Sequence, residues 1–248
     1  MYPFLRLGPF LLQLPAVALL VGVWVGMSLT EKEAARLNLP PAVVSNLIMV
    51  GFIGGIVGAR LAYAARYLEI YLANPLSLLS LNVNTLAISD GLVFGLAVAA
   101  LYGWRKKLPL RATLDALAPG LAAFMVALGV SHFLSGDAYG APAKLPWSIY
   151  LWSDYRHPTQ VYEILTAIMI FFIAIKRPFG LTGSGINFLL VIALSSAARI
   201  FLEVFRGDSA VWPGGFRAAQ VLGLIVLAIT LYMMRLWAQN DKLPAIEP

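Results

Sequence analysis

Seven long apolar stretches constrain this chain before anything else: residues 8–29, 42–66, 90–104, 113–135, 160–176, 183–205 and 217–239. A helix needs roughly 20 apolar residues to cross the hydrocarbon of a bilayer. The third stretch is short and is expected to extend into its flanks. Lipid offers backbone groups no water, so a run of this length closes its hydrogen bonds as a helix. The balance of side chains agrees. A soluble domain carries about 25% charged residues, whereas here 12% are charged and 60% hydrophobic. The expected fold class is therefore an all-α integral membrane protein with seven transmembrane helices. No internal repeat or low-complexity linker divides it, so residues 1–248 read as one domain. The first run is too long for the apolar core of a signal peptide and reads as a retained span.

Orientation follows from Lys and Arg in short loops. Lys32 and Arg36, then Arg105, Lys106, Lys107 and Arg111, then Lys176 and Arg177, then Arg235 and Lys242 fall on one side if the chain spans seven times. That side is the cytoplasm, which puts the N-terminus outside and the C-terminus inside. Segments 67–89 and 136–159 then lie outside. They carry Tyr67, Tyr71, Trp147, Tyr150, Trp152 and Tyr155. Such side chains suit the headgroup zone, and amphipathic arms on the outer face are expected. Asn74-Pro75 is a break in the first arm; Pro142 and Pro146 break the second.

Several chemistries are excluded or disfavoured. The chain has 0 cysteines, hence no disulfide, no thiolate nucleophile and no Cys-ligated metal. Its 2 histidines, His132 and His157, argue against a His-rich metal site. No metal or cofactor is expected. The net charge of +6 does not indicate nucleic acid, because basic residues in a membrane protein mostly set topology and meet anionic lipid.

Polar residues at span depth need a reason to be there. Arg60 lies in the second span, and Arg199 and Glu203 lie four residues apart on one face of the sixth. Arg156, His157, Gln160, Tyr162 and Glu163 crowd the start of the fifth, with Pro158 suited to its first turn. One reading of Arg199 and Glu203 is an internal ion pair. The other is a cationic cavity for a lipid phosphate, built from Arg60, Arg156, Arg199 and Arg206, because the planar guanidinium grips phosphate bidentately. Few acids oppose these arginines; Glu163, Glu203 and Asp137 are the ones that would neutralise them. For His157 the plainer role is a helix-start hydrogen bond, and for Tyr162 an interfacial anchor. Asp115 is expected to cap the fourth span from the cytoplasmic side. Gln220 is expected to bond across helices, and Gly51, Gly54, Gly55 and Gly58 to let helices approach closely.

Taken together these segments resemble the bacterial prolipoprotein diacylglyceryl transferase family. Arg156-His157-Pro158-Thr159-Gln160-Val161-Tyr162-Glu163 is similar to its RHPSQLYE stretch. Arg199 to Arg206 resembles its R-x-x-x-E-F-x-R segment. Gly58-Ala59-Arg60-Leu61-Ala62-Tyr63, then Asn74-Pro75-Leu76, resembles its GGRxGY and NPL regions. The resemblance covers nearly the whole chain. It implies a location in the bacterial inner membrane, with diacylglyceryl moved from phosphatidylglycerol to a lipoprotein-precursor cysteine and glycerol phosphate released. Such a reaction demands a group that favours the thiolate and cations that hold the leaving phosphate.

The departures from the family pattern matter as much. Its fourth span carries G-R-x-G-N-F-x-N-G-E, where this chain has Leu128-Gly129-Val130-Ser131-His132-Phe133-Leu134-Ser135-Gly136-Asp137. The arginine is thus Gly129, the two asparagines are His132 and Ser135, and the glutamate is Asp137. A histidine before two glycines at the third span is replaced in Ser89-Asp90-Gly91, and a first-span tyrosine by Pro15. One oxyanion-type donor can be worth about 3 kcal/mol, so several losses should leave little of the ordinary reaction unless His132, Ser89 or Asp90 substitutes. His132 paired with Asp137 is the rescue considered. Two expectations follow. One is a catalytically weakened or silent member that binds phospholipid and serves as an accessory subunit of a larger membrane complex. The other is an active transferase in which His132 or His157 accepts the proton, with Arg199 and Glu203 in the reacting group. A retinal-type receptor is disfavoured because the last span has no lysine, and a transporter because no broken helices recur in matching halves.

Overall fold

The computed structural model describes residues 3–8, 10–79, 85–178 and 184–240. Helices dominate: α1 (Leu14–Arg36), α2 (Pro41–Arg66), α3 (Leu68–Ala73), α4 (Ile88–Arg105), α5 (Leu110–Ser135), α6 (Thr159–Lys176), α7 (Ile186–Leu202) and α8 (Ala218–Asn240). Two antiparallel hairpins accompany them, β1 (Phe4–Leu7) with β2 (Phe10–Gln13), and β3 (Ile149–Leu151) with β4 (Asp154–Arg156). Among the described residues six helices are long and apolar enough to cross a membrane: α1, α2, α5, α6, α8, and α7 continued to Phe205. The third expected span, 90–104, coincides with α4, which is not among the six. Its 18 residues carry Asp90 in the first turn and Arg105 in the last.

The first span starts later than expected, at Leu14 rather than residue 8. The apolar residues before it pair as a hairpin, with Leu5 opposite Leu12. Pro15 in the first turn then fixes where the helix begins. The helix also ends later, at Arg36 rather than residue 29, so Lys32 and Arg36 lie in its last turns and not in the loop; the limits of the other spans agree with the sequence reading within a few residues.

Two compact units divide the chain. One joins Met1–Leu37 to Arg111–Pro248, and the other is Asn38–Leu110. In the second unit α2 lies against α4 through glycines. A Cβ at Gly91 would stand 2.7 Å from the Gly55 carbonyl oxygen, and one at Gly95 2.7 Å from that of Gly51. The small-residue spacing in α2 therefore serves the close packing expected of it. Arg60 donates to the Thr85 carbonyl (3.1 Å) and hydroxyl. Asp90, in the first turn of α4 with Ser89, pairs with Arg66. The break at Asn74 is present: α3 ends there, and a 3₁₀ turn follows over Pro75–Leu79.

In the first unit Ala118, Ala122, Ile170, Ala174 and Val191 form the core where α5, α6 and α7 meet. At one end of this unit Asp115 is buried. It does not cap its own helix, as expected, but accepts from Gly185 N (2.9 Å) and Phe188 N (3.0 Å) at the start of α7. The groups it satisfies are the orphan N–H groups of another helix. Buried Glu33 at the same end pairs with Arg36 (2.6 Å) and Arg177. Because consecutive long helices alternate direction, the opposite end gathers the C-terminus of α5, the N-terminus of α6, the C-terminus of α7 and the N-terminus of α8.

The second arm differs from the amphipathic form expected. Segment 136–159 builds the β3–β4 hairpin, whose two-residue loop holds Trp152 and Ser153 at φ +53° and +62°. Left-handed backbone at both central positions matches the strand twist and normally draws Asn or Gly. Here the Trp152 indole is tied down by donating to the Gly136 carbonyl (3.1 Å). Trp147, Tyr150, Trp152 and Tyr155 are exposed, as is Tyr67 of the first arm, in line with the sequence reading, whereas Tyr71 is buried. Residues 80–84 of the first arm and Lys242 lie outside the described residues.

Candidate functional site

A cavity of about 240 Å³ lies at the end of the first unit where α5, α6 and α7 converge. Met125, Leu128 and Ile170 make its apolar wall, and Glu163, Arg199 and Arg206 bring charge to it. Three of these six were singled out in the sequence, and all three sit at or just beyond helix ends. Glu163 is in the first turns of α6, Arg199 in the last turn of α7, and Arg206 just past the 3₁₀ turn Glu203–Phe205 that ends α7.

Arg199 and Glu203 form the i,i+4 ion pair expected, Nη2 to Oε2 at 3.2 Å. The Glu203 side chain is only 1% exposed, and Oε2 also lies 3.9 Å from Arg206 Nε. That oxygen accepts no well-directed hydrogen bond among the described residues. Arg199 is the most open of the three, its side chain 41% exposed. Arg206 has a partner the sequence reading missed. Its Nε and Nη2 donate to the two carboxylate oxygens of Asp208 at 2.8 and 2.7 Å, a bidentate fork. Burial works against charge on Arg206, but the Asp208 hydrogen bonds, with the fields of Asp208, Glu203 and Glu163, outweigh it and hold its pKa above the ordinary arginine value. It is a permanent cation. Arg217, also missed, donates from Nη1 to the Arg206 carbonyl (3.0 Å), to Ser209 Oγ (2.9 Å) and to the Glu203 carbonyl.

His132 does not pair with Asp137. Its Nδ1 lies 2.8 Å from Glu163 Oε2, and so the rescue considered from sequence has a different carboxylate. The reason is directional. His132 sits in the last turn of α5, facing the first turns of α6, while Asp137 lies beyond the helix end, its carbonyl accepting from Gln160 Nε2 at 2.8 Å. Gln160 is fully buried, and its Oε1 has no hydrogen-bond partner among the described residues.

Two expected members of the cavity are elsewhere. Arg156 is a loop clip: Nε donates to the Leu151 carbonyl (3.0 Å), Nη1 to the Gly140 carbonyl (3.2 Å), and the guanidinium lies over Tyr139. His157 stands among aromatic rings. Its centroid is 5.2 Å from Phe205, and Nδ1 is 3.5 Å from the Tyr162 hydroxyl. That hydroxyl accepts from Trp147 Nε1 at 2.8 Å. Neither Arg156 nor His157 lines the cavity. Arg60, Ser89 and Asp90 belong to the other unit. The expectation of arginines with few opposing acids is corrected as well, because Arg199 and Arg206 each face a carboxylate.

At Gly129, where the sequence reading expects an arginine of the family pattern to be missing, the packing is tight. A Cβ there would meet Ile164 Cγ1 at 2.9 Å and Ile164 N at 3.3 Å. Helix α6 lies close against α5 at this point, in the room a larger side chain would need.

What the site can do chemically is limited but definite. Its hydroxyls are committed to backbone carbonyls: Thr159 Oγ1 donates to that of Ala138, Thr166 Oγ1 to that of Tyr162 and Ser195 Oγ to that of Val191. Arg199 keeps donors, and Glu163 Oε1 an acceptor position, that no other described residue uses.

The family model described as prolipoprotein diacylglyceryl transferase matches residues 3–236. Proteins named phosphatidylglycerol--prolipoprotein diacylglyceryl transferase are similar along nearly their whole length. That of Nostoc sp. is 27% identical over 98% of this chain and 92% of the relative. That of Synechococcus sp. strain CC9902 is 30% identical over 96% and 94%. That of Geobacillus kaustophilus is 30% identical over 94% and 91%.

Proposed function

This chain belongs to the prolipoprotein diacylglyceryl transferase family, and from that premise we propose that its cavity holds the headgroup of a membrane glycerophospholipid, the phosphate against Arg199, with the transferase chemistry weakened or silent. Six apolar helices and the family make it a multi-pass protein of a bacterial inner membrane. The proposed topology adds α4 as a seventh span, with the N-terminus outside, the C-terminus cytoplasmic, and α3 and the β3–β4 hairpin as arms on the outer face.

One observation carries the reading. Arg199 is the half-open cation of an otherwise tightly paired cluster, and it lines a cavity beside an apolar wall of Met125, Leu128 and Ile170. Phosphate and acyl chain ask for that combination. Weakening of the chemistry rests on Gly129, which leaves no guanidinium at a position where the family pattern has one. In this reading the protein serves as a lipid-binding accessory subunit of a larger membrane complex. The test is native mass spectrometry of the detergent-purified protein. A retained glycerophospholipid is expected, and Arg199→Ala should lower its occupancy roughly tenfold, the worth of one charge-assisted hydrogen bond. No bound lipid, or occupancy unchanged in Arg199→Ala, contradicts the proposal.

A second reading is favoured by the 2.8 Å pair of His132 and Glu163. It is a histidine–carboxylate dyad at the cavity edge, able to accept a thiol proton. The protein would then move diacylglyceryl from phosphatidylglycerol, the donor in its relatives' names, to a lipoprotein cysteine. Assay with phosphatidylglycerol and a cysteine-containing precursor peptide decides it. Transfer that disappears in His132→Ala supports this reading, and no transfer by the wild type removes it.

A further inference from the structure

The charges around the cavity cancel. Among the described residues Arg199, Arg206 and Arg217 stand with Glu203, Asp208 and Glu163, three cations and three anions: Arg199 and Arg206 pair with Glu203 and Asp208, Arg217 donates to the Glu203 carbonyl, and Glu163 pairs with His132 at the cavity wall. A bound monoanion would leave one charge uncompensated in a largely apolar hollow, which is unfavourable. A headgroup carrying both signs would not.

The free hydrogen-bonding positions have the same two-ended character. Arg199 pairs through Nη2 with Glu203 and keeps Nε and Nη1 without partners among the described residues. Glu163 accepts at Oε2 from His132, and its Oε1 has no partner among the described residues. The hydroxyl donors between them are committed to backbone carbonyls, as described above. The cavity thus offers a donor end on α7 and an acceptor end on α6.

We propose that the site selects a zwitterionic phospholipid whose headgroup ends in a primary ammonium, with the phosphate on Arg199 and the ammonium on Glu163. This rests on the headgroup reading above and names the lipid class it takes. An ammonium N–H donates to Glu163 Oε1. A quaternary ammonium has no N–H to give, and a glycerol headgroup brings no positive charge to the carboxylate. A volume of about 240 Å³ suits a headgroup. Specificity comes from the unpaired charge each wrong headgroup would leave behind.

The test uses the full chain in nanodiscs containing equal amounts of phosphatidylethanolamine, phosphatidylglycerol and phosphatidylcholine with identical acyl chains. Lipid retained on release is counted by native mass spectrometry. Phosphatidylethanolamine should exceed each of the others roughly tenfold, the effect of one charge-assisted hydrogen bond. Glu163→Gln, nearly the same shape, should remove that preference, read as the ratio among the three lipids. Should Glu163→Gln not fold, as judged by its thermal midpoint, the wild-type ratios decide alone. Phosphatidylglycerol or phosphatidylcholine retained as well as phosphatidylethanolamine overturns the selectivity and leaves the headgroup site standing. A preference that survives in a folded Glu163→Gln overturns the role of Glu163. No retained lipid of any kind overturns both readings.

Discussion

Glu203 is the residue on which the cavity's arginines depend. It is 1% exposed, within 3.2 Å of Arg199 and 3.9 Å of Arg206. Removing Glu203 leaves half-open Arg199 without its counterion and Arg206 with Asp208 alone, at a cost of about 1 kcal/mol. Glu203→Ala should therefore lower the thermal midpoint in detergent by a few degrees and loosen the Arg199 end of the site. A midpoint unchanged within a degree would show that Arg199 and Arg206 do not need it. Gly129 predicts differently. Restoring the family arginine there forces a side chain against Ile164, with Cβ already 2.9 Å from Ile164 Cγ1. Overpacking of this kind costs about 1–3 kcal/mol. Gly129→Arg should destabilise the protein and not raise transfer activity; a gain of transfer would show that one missing cation was the whole defect. At this scale the sequence was informative for the pair Arg199 and Glu203, whose spacing alone puts them on one helical face. It was mute on His132. Two carboxylates, Asp137 and Glu163, were available to it, and only the packing of α5 against α6 chooses between them. Asp208 and Arg217 were missed because both lie in the loop segment joining α7 to α8, where periodicity carries no signal. The signal that existed was compositional: an arginine two residues from an aspartate.

Helix ends decide what the elements can do. Asp115 satisfies two N–H groups at the start of α7, 2.9 and 3.0 Å away, from within α5. A capping side chain is worth about 1–2 kcal/mol. Asp115→Ala should cost at least that, read as a lowered thermal midpoint, with lipid headgroup selectivity preserved because the cap lies at the opposite end of its unit. Altered selectivity would couple the two ends and contradict the local account. Sequence periodicity found the long helices, since a 20-residue apolar run has few alternatives in lipid. It could not find the β1–β2 hairpin, whose leucines are as apolar as the span they precede. Nor could it find β3–β4, whose turn places Trp152 and Ser153 where Asn and Gly are the usual markers. The close approach of α2 to α4 was legible because only small residues permit it.

For the whole molecule, the proposed seven-span topology makes a direct prediction, helped by the absence of cysteine from the chain. A single cysteine at Asp154→Cys, in the turn-side strand of β3–β4, should react with a membrane-impermeant maleimide added to intact cells. One at Lys106→Cys, after α4, should react only once the membrane is opened. Equal reaction at both sites would place them on the same face and contradict the crossing of α5, the one long helix between them. The account as a whole says that a neutral, two-ended cavity in the first unit exists to hold a phospholipid headgroup. A cryo-electron microscopy map of the protein in lipid nanodiscs tests this most directly. Headgroup density between Arg199 and Glu163, with its phosphate on the guanidinium, is the result predicted; a cavity filled by water or by protein side chains alone would contradict it.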